Sequence, residues 1–92
     1  MKKDNIAISA DPNDPEDFDV TEEALRLAQK SRLIRATRAN LGLSQQEFAQ
    51  TFRVPVGTLR DWEQGRTTPP AFAIAYVRVI RDQPDLVAKI VA

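Results

Sequence analysis

The chain has 92 residues, neither cysteine nor histidine, and 13 basic and 13 acidic side chains that give a formal net charge of zero. The absence of both residue types from the sequence excludes disulfides, thiolate or imidazole metal sites and an ordinary general base near neutrality, so we expect neither an enzyme nor a cofactor. Because there is no apolar run of about 20 residues and no apolar leader core, we expect a cytoplasmic protein without a membrane segment.

The charge is unevenly distributed along the chain. Residues 1–23 hold eight acidic and two basic residues, a net charge of −6, whereas residues 24–92 hold eleven basic and five acidic residues, a net charge of +6. A basic body is what a nucleic-acid-binding domain requires, because it must neutralise phosphates. The overall neutrality is therefore no argument against DNA binding.

Residues 1–19 form an acidic arm with little apolar mass beyond Ile6, Ile8 and Phe18. Such a segment cannot offset the entropy of ordering itself, so we predict that it is disordered when alone. Three roles are open for it. Ile6 and Ile8 could add a strand to a partner's sheet while the acids meet a basic surface. Alternatively, the arm is a solubilising tail, or its acids fold back onto the protein's own Arg-rich face and weaken DNA binding.

Residues 20–92 are predicted to form one helical domain, which begins with a long helix. Asp19, three residues before Glu22, predicts a capping box, and Gly42 ends the helix. The apolar pattern supports helix from Thr21 to about Leu41. This helix also carries a row of cations that could be solvated or could contact phosphates or a partner: Lys30, Arg32 and Arg35.

Two short helices with a tight turn between them follow. Ser44 and Glu47 form a second capping box, which starts a helix at Gln45. Its predicted buried residues, spaced at i, i+1 and i+4, are Phe48, Ala49 and Phe52. Pro55 suits the first turn of the next helix, and Gly65 ends that helix. On it, Leu59 and Trp62 are predicted to face the core at i, i+3, and the residues on faces that can stay open are Val56, Gly57, Arg60 and Asp61.

The sequence predicts two more helices. After Pro69-Pro70, a stripe at i, i+4, i+7 and i+8 is predicted to pack on the core: Phe72, Tyr76, Val79 and Ile80. A second set widens the stripe until the helix is apolar nearly all round: Ala73, Ile74 and Val77. Pro84 then starts a short helix with apolar residues on one side, among them Leu86, Val87 and Ile90. These either close the bundle or form the two-fold contact of a dimer. The surplus of apolar surface on so small a domain favours the dimer.

Residues 31–81 resemble the helix-turn-helix domain of the XRE (lambda-repressor and Cro-like) transcription regulators, and the stretch Gly57–Arg66 is similar to antitoxins of the HigA type. The resemblance implies a compact, all-α, five-helix domain. It also implies that Gln45 contacts a DNA phosphate, that the outer face of the third helix reads bases, and that the loop with Arg66 and Thr67 grips the DNA backbone. By position, Arg38 and Glu63 would form a buried ion pair.

The sequence departs from this family pattern at positions that bear on DNA. Arg53 stands where a glycine with a left-handed backbone is usual, and a non-glycine residue there costs roughly 1 to 2 kcal/mol. The positions that commonly read bases carry Val56, Gly57 and Asp61 instead of polar readers. Base choice is then expected from Arg60 and Thr58 and from a contact of Val56 with a thymine methyl. Phosphate contacts are expected from the following residues: Gln45, Arg53, Arg66 and Thr67.

The sequence therefore predicts a homodimeric repressor that binds a palindromic, double-stranded DNA operator, with recognition helices in major grooves about 34 Å apart. The antitoxin resemblance adds a second expected partner, a basic toxin protein that this chain would neutralise while repressing its own operon. Two alternatives are a repressor without a toxin partner and a protein-interaction module that keeps the fold but binds no specific DNA.

Overall fold

A computed structural model describes residues 21–92; residues 1–20, and with them the predicted arm and its Ile6, Ile8 and Phe18, lie outside the described part of the chain. Within residues 21–92 the chain forms five α-helices and no strand. The helices are α1 (Glu22–Asn40), α2 (Gln45–Phe52), α3 (Val56–Glu63), α4 (Ala71–Asp82) and α5 (Pro84–Val91). The predicted all-α, five-helix architecture is confirmed.

Local signals in the sequence fix the ends of α1. Thr21 is its N-cap, and the Thr21 hydroxyl accepts a hydrogen bond from the backbone N–H of Ala24 at 3.0 Å. The prediction that Asp19 caps this helix is therefore wrong by two residues, and Asp19 itself lies outside the described residues. At the other end Gly42 takes a left-handed backbone with φ of +73° just beyond the C-cap, which confirms the predicted stop.

The core lies where α1, α2, α3 and α4 meet, and α5 closes it. The rings of Phe48 and Phe52 pack at a centroid distance of 4.8 Å, tilted by 50°. Ala49 and Leu59 are also buried as predicted. These four side chains belong to one cluster whose other members are Ile34, Ile74, Val77, Ile80 and Val87. Only the second half of α1 contributes buried residues, so its first half projects beyond the core.

Helix α4 buries only part of the predicted stripe: Ile80 is fully buried and Tyr76 packs half-buried against the core, as predicted. Phe72 is 74% exposed and Val79 is 51% exposed, so the prediction that they pack on the core is wrong. Apolar residues cover nearly the whole circumference of α4, which leaves periodicity unable to choose the buried side. Packing against α1 and α5 selects a neighbouring set of buried residues: Ala73, Ile74, Val77 and Ile80.

Helix α5 divides its apolar residues between the core and the surface. Val87 is 6% exposed and belongs to the core cluster, so its assignment to a dimer surface is wrong. Leu86 and Ile90 remain 51% and 70% exposed. The two alternatives in the sequence are therefore not exclusive, because one side of α5 closes the bundle while Leu86 and Ile90 stay available.

Candidate nucleic-acid interface

The N-terminus of α2 is held by the predicted capping box. The Ser44 hydroxyl accepts a hydrogen bond from the Glu47 N–H at 3.0 Å, and the Ser44 N–H donates to Glu47 Oε1 at 2.8 Å. These two bonds satisfy backbone groups that the helix leaves unpaired at its start. They fix Gln45 at the first position of α2, where its side chain is half-buried.

Below the surface, the carboxylate of Glu63 joins three helices. Arg38 donates from Nε to Glu63 Oε2 at 2.7 Å and from Nη2 to Oε1 at 2.9 Å, which makes the predicted ion pair a bidentate one. Gln45 Nε2 donates to the same Oε1 at 3.0 Å. Glu63 is only 3% exposed, so these partners compensate for removing its charge from water. We call Arg38, Gln45 and Glu63 the buried triad.

The triad also affects the ionisation of its cation. The side-chain hydrogen bonding with Glu63 raises the pKa of Arg38 above its ordinary value, against an opposing effect of burial and with added support from the charge of Glu63. Arg38 Nη1 makes one more bond, to the carbonyl of Leu43 at 2.9 Å. The guanidinium therefore remains charged and ties α1 to the start of α2 as well as to α3.

Two further side chains of α1 hold the C-terminal end of α3. Arg35 Nη1 donates to the Glu63 carbonyl and the Ser31 hydroxyl donates to the Trp62 carbonyl, both at 2.6 Å. The last carbonyls of a helix have no partner within it, so these bonds fill a need that α3 cannot meet alone. One expectation for Arg35 was a phosphate contact. In the structure its side chain instead helps to hold the end of α3.

The buried residues of α3 determine which of its sides is exposed. Pro55 is the N-cap, one residue before the predicted position, and Leu59 and Glu63 are buried. Gly57 and Arg60 lie on the opposite side and are exposed. Arg60 Nε makes a long contact of 3.4 Å with Gln45 Oε1, which links the exposed cation to the buried triad. The contact is longer than an ordinary hydrogen bond, so the guanidinium lies beside the triad and remains accessible.

No neighbouring atom requires a glycine at position 57. A Cβ built at this position would meet no heavy atom within 4 Å, and its φ is not positive. Gly57 is the second residue of α3, and glycine is a poorer helix former than alanine, by roughly 0.5–1 kcal/mol in a helix interior and by less in a first turn. The position therefore costs stability and leaves α3 open to close approach by a partner.

Several other predicted site residues lie around this face. Val56 is half-buried against the core, and Asp61 pairs with Arg66 at 3.5 Å across the end of α3. Thr67 is exposed in the loop that follows. Thr58 instead lies beside Trp62 in a groove that Phe72 also lines, at the edge of the outer face. Trp62 is half-buried and packs against the core, as expected.

Arg53 has the backbone conformation of the family's turn, but its side chain contacts α5. Its φ of 63° and ψ of 40° are left-handed, so the turn has the backbone form usually given to glycine. The Arg53 Nε donates to the carbonyl of Val91 at 2.9 Å, at the end of α5. The expected phosphate contact of Arg53 stays a prediction. The bond to Val91 draws the Arg53 side chain toward α5 and away from the outer face of α3.

The sequence reasoning overlooked two glutamines of α2. Gln46 and Gln50 are exposed at i, i+4 and border a shallow groove of about 320 Å³ that Val56 closes from α3. Residues at this spacing share a helix face, so the signal was present in the sequence. Their amides add donors and acceptors to a surface with few polar base readers.

This arrangement defines a helix-turn-helix DNA-binding protein: α2 and α3 are joined by a tight turn, and α3 lies over a buried ion pair with its other side exposed. The helix-turn-helix family model matches residues 34–79, which is half of the chain. A crystal structure of an HTH XRE-family like protein from Agrobacterium tumefaciens is 42% identical. That match covers 65% of this chain and 97% of the other, with a TM-score of 0.64.

The chain belongs to the XRE family of helix-turn-helix DNA-binding transcription regulators. A comparison with curated proteins found no match. Among residues 21–92, no helix is long and apolar enough to cross a membrane, and no three His, Cys, Asp or Glu side chains are grouped as metal ligands would be. The fold is one that typically carries no enzymatic activity.

Proposed function

We propose that this chain is a repressor in which the outer side of α3 enters the major groove of an operator. The observation that carries the proposal is the buried triad. By tying Glu63 of α3 to α1 and α2, it turns Gly57 and Arg60 outward and fixes them relative to the start of α2. A recognition helix must be held in this way, because base contacts depend on register.

Arg60 is the principal base reader in this proposal. An arginine can donate two hydrogen bonds to the O6 and N7 atoms of guanine, a pairing worth about 1 to 3 kcal/mol of discrimination. Its 3.4 Å contact with Gln45 is long enough to be exchanged for a base without loss of a strong bond. Val56 supplies an apolar contact for a thymine methyl, while Thr58, at the edge of the face, is better placed for the backbone.

The remaining polar groups position the helix on the duplex. Arg66 and Thr67 lie in the loop after α3, and exposed Gln46 lies at the start of α2, so these residues flank the outer face of α3. The phosphate contact expected of Gln45 stays a prediction, because its amide donates within the buried triad. Contacts of this kind with phosphates give affinity and register without sequence information. Asp61 would repel phosphate, but its pairing with Arg66 reduces that repulsion.

The proposal includes a homodimer on a palindromic operator, joined through the exposed apolar residues of α5. Leu86 and Ile90 are separated by one helical turn and are both more than half exposed, so an interface at this place would remove two apolar side chains from water. A dimer brings two recognition helices to successive major grooves about 34 Å apart.

Binding to the DNA upstream of the coding sequence, measured by fluorescence anisotropy, tests the DNA-binding part. We expect Arg60→Ala to lose about 10-fold to 100-fold in preference for that DNA over a scrambled duplex, which corresponds to one lost base contact. Lys89→Ala removes an exposed cation from α5 and should keep the preference. Affinity for both duplexes should fall steeply with salt. Equal wild-type affinity for the two duplexes would instead support a protein-interaction module.

Sedimentation equilibrium tests the dimer. The double variant Leu86→Lys with Ile90→Lys should be monomeric at concentrations at which the wild type is dimeric. Leu25→Lys is the matched control, because Leu25 is 51% exposed, as Leu86 is, but lies on α1. A double variant that still dimerises would place the two-fold contact elsewhere.

A finer part of the proposal is an antitoxin role, in which the chain neutralises a basic toxin and represses its own operon. It is supported by the similarity of Gly57–Arg66 to HigA-type antitoxins and by the acidic residues at the N-terminus, whose charge is opposite to that of a basic toxin. Co-expression with the product of the adjacent reading frame tests it. Relief of growth arrest and co-purification support the role, and unchanged growth would leave a repressor without a toxin partner.

A further inference from the structure

A cationic groove runs between α1 and α4, away from the proposed DNA surface. Four basic side chains line it, two from each helix, and its volume is about 480 Å³. Half-buried Leu33 and buried Ile74 contribute an apolar base. The four cations are Arg26, Lys30, Arg78 and Arg81.

The carboxylates near this groove leave it with excess positive charge. Arg26 pairs with Glu22 at 3.3 Å and Arg81 pairs with Asp82 at 3.2 Å, both in exposed positions. Within residues 21–92, Lys30 and Arg78 have no carboxylate within salt-bridge distance. A groove with this charge and an apolar base fits an extended acidic peptide that carries some apolar side chains.

The position of the groove indicates that its occupant is not the DNA bound by α3. Ser31, Arg35 and Arg38 turn toward α3, where they make hydrogen bonds. At about 100° per residue, Arg26 and Lys30 are turned by roughly 150° and 110° around α1 from the mean direction of those three residues. The groove and the recognition helix therefore lie on different sides of α1.

An acidic peptide is attached to the same helix. Residues 11–19 contain five acidic residues and no Lys or Arg, and they join α1 at Thr21. Lys30 lies nine residues into the chain from Thr21, about 14 Å along a helix that rises 1.5 Å per residue. An extended chain covers about 3.3 Å per residue, so a few residues suffice to fold back over that distance.

We propose that residues 11–19 bind in the groove between α1 and α4 of their own chain, against Lys30 and Arg78. Exposed ion pairs are individually weak. A short covalent connection, however, presents the segment at an effective concentration of the order of mM, which several weak contacts can exploit. The acids are then held behind α1, where their charge neither covers Arg60 nor repels an approaching phosphate.

A spin label tests this placement on the full chain. The protein has no cysteine, so Ala10→Cys provides a unique attachment point next to the acidic segment. We expect paramagnetic broadening of the amides around Lys30 and Arg78 and little at Gly57 and Arg60. The broadening should disappear in about 1 M salt, where the screening length is about 3 Å.

Two controls make the result specific. Lys30→Glu with Arg78→Glu should abolish the broadening, whereas Lys89→Glu on α5 should not change it. In a mixture of labelled, unenriched chain with unlabelled, ¹⁵N-enriched chain, the broadening should be lost, because the contact is intramolecular. Broadening centred on α3, broadening that persists in the mixture, or no localised broadening would each overturn the proposal. Added duplex DNA that shifts the amides of Lys30 and Arg78 directly would also overturn it, by making the groove a nucleic-acid site.

Discussion

The two ends of this small bundle are held in different ways. The α2–α3 unit is fixed by directional bonds, with the Glu63 carboxylate shared by Arg38 and Gln45 and the end of α3 bound to α1. The α4–α5 unit is held mainly by apolar packing, with one hydrogen bond between each helix and the α2–α3 unit, and it leaves Phe72 and Ile90 exposed. Directional bonds fix the register that base reading needs, whereas apolar contact is tolerant of repacking. The fixed unit therefore suits DNA recognition, and the other suits association.

The largest expected effect comes from breaking the buried triad. Glu63→Ala leaves Arg38 and Gln45 without their common acceptor, and removing one partner of a buried ion pair costs about 3 to 5 kcal/mol. Urea denaturation should show this loss. Asp61→Ala, which removes an exposed ion pair from the same helix, should cost less than about 1 kcal/mol. Similar losses in the two variants would mean that packing alone positions α3.

Arg53 connects the two units and allows a sharper comparison. At a left-handed backbone position, Arg53→Gly removes a penalty that Arg53→Ala retains. Both variants lose the bond to Val91, so the glycine variant should be more stable than the alanine variant by roughly 1 to 2 kcal/mol. Thermal unfolding of the pair measures the difference. Equal stability would contradict a left-handed backbone at this turn.

Tyr76 joins α4 to the end of α2, because its hydroxyl donates to the Phe52 carbonyl at 2.7 Å. Tyr76→Phe should cost about 1 kcal/mol, the net value of one such hydrogen bond. Burial raises the pKa of Tyr76 above its ordinary value of 10.0. The folded state therefore retains its proton longer than the unfolded state, so this residue's contribution is complete below about pH 10 and is lost as the pH rises further.

Urea titrations between neutral and alkaline pH measure that dependence. Wild type should lose stability above about pH 10 more steeply than Tyr76→Phe, which has no proton to lose there. Parallel curves for the two proteins would show that the hydroxyl is not protected in the folded state.

The smallest effect is expected on the outer face of α3. Gly57→Ala, in the first turn of α3, should stabilise the fold by at most about 0.5 kcal/mol, because alanine is the better helix former and the added Cβ meets no atom. The same variant should weaken binding to the upstream DNA if close approach at this position is used. Calorimetry and anisotropy on one preparation give both values. A destabilised variant would contradict the open surroundings of Gly57.

Much of the fold could be predicted because its signals are local. Ser44 with Glu47, Gly42 and Gly65 each determine a helix end through backbone groups within a few residues. The failure at Phe72 has an equally plain cause: α4 is apolar nearly all round, so only its packing partners decide which residues are buried.

The site was predictable in part. Leu59 could be assigned to the core from spacing, but the pairing of Arg38 with Glu63 came from the family resemblance, because the two residues are 25 positions apart. The bond of Arg53 to Val91 joins residues 38 positions apart and has no local signature. Contacts of this kind depend on the assembled fold, which no short sequence pattern encodes.

The central claim is that the side of α3 bearing Gly57 and Arg60 meets DNA. An NMR titration of the full chain with its upstream duplex tests it most directly. We predict the largest amide shifts at Gly57, Arg60 and Gln46, with smaller ones in the loop at Arg66 and little change at Ile90. Shifts concentrated on α4 and α5, with α3 unchanged, would contradict the account.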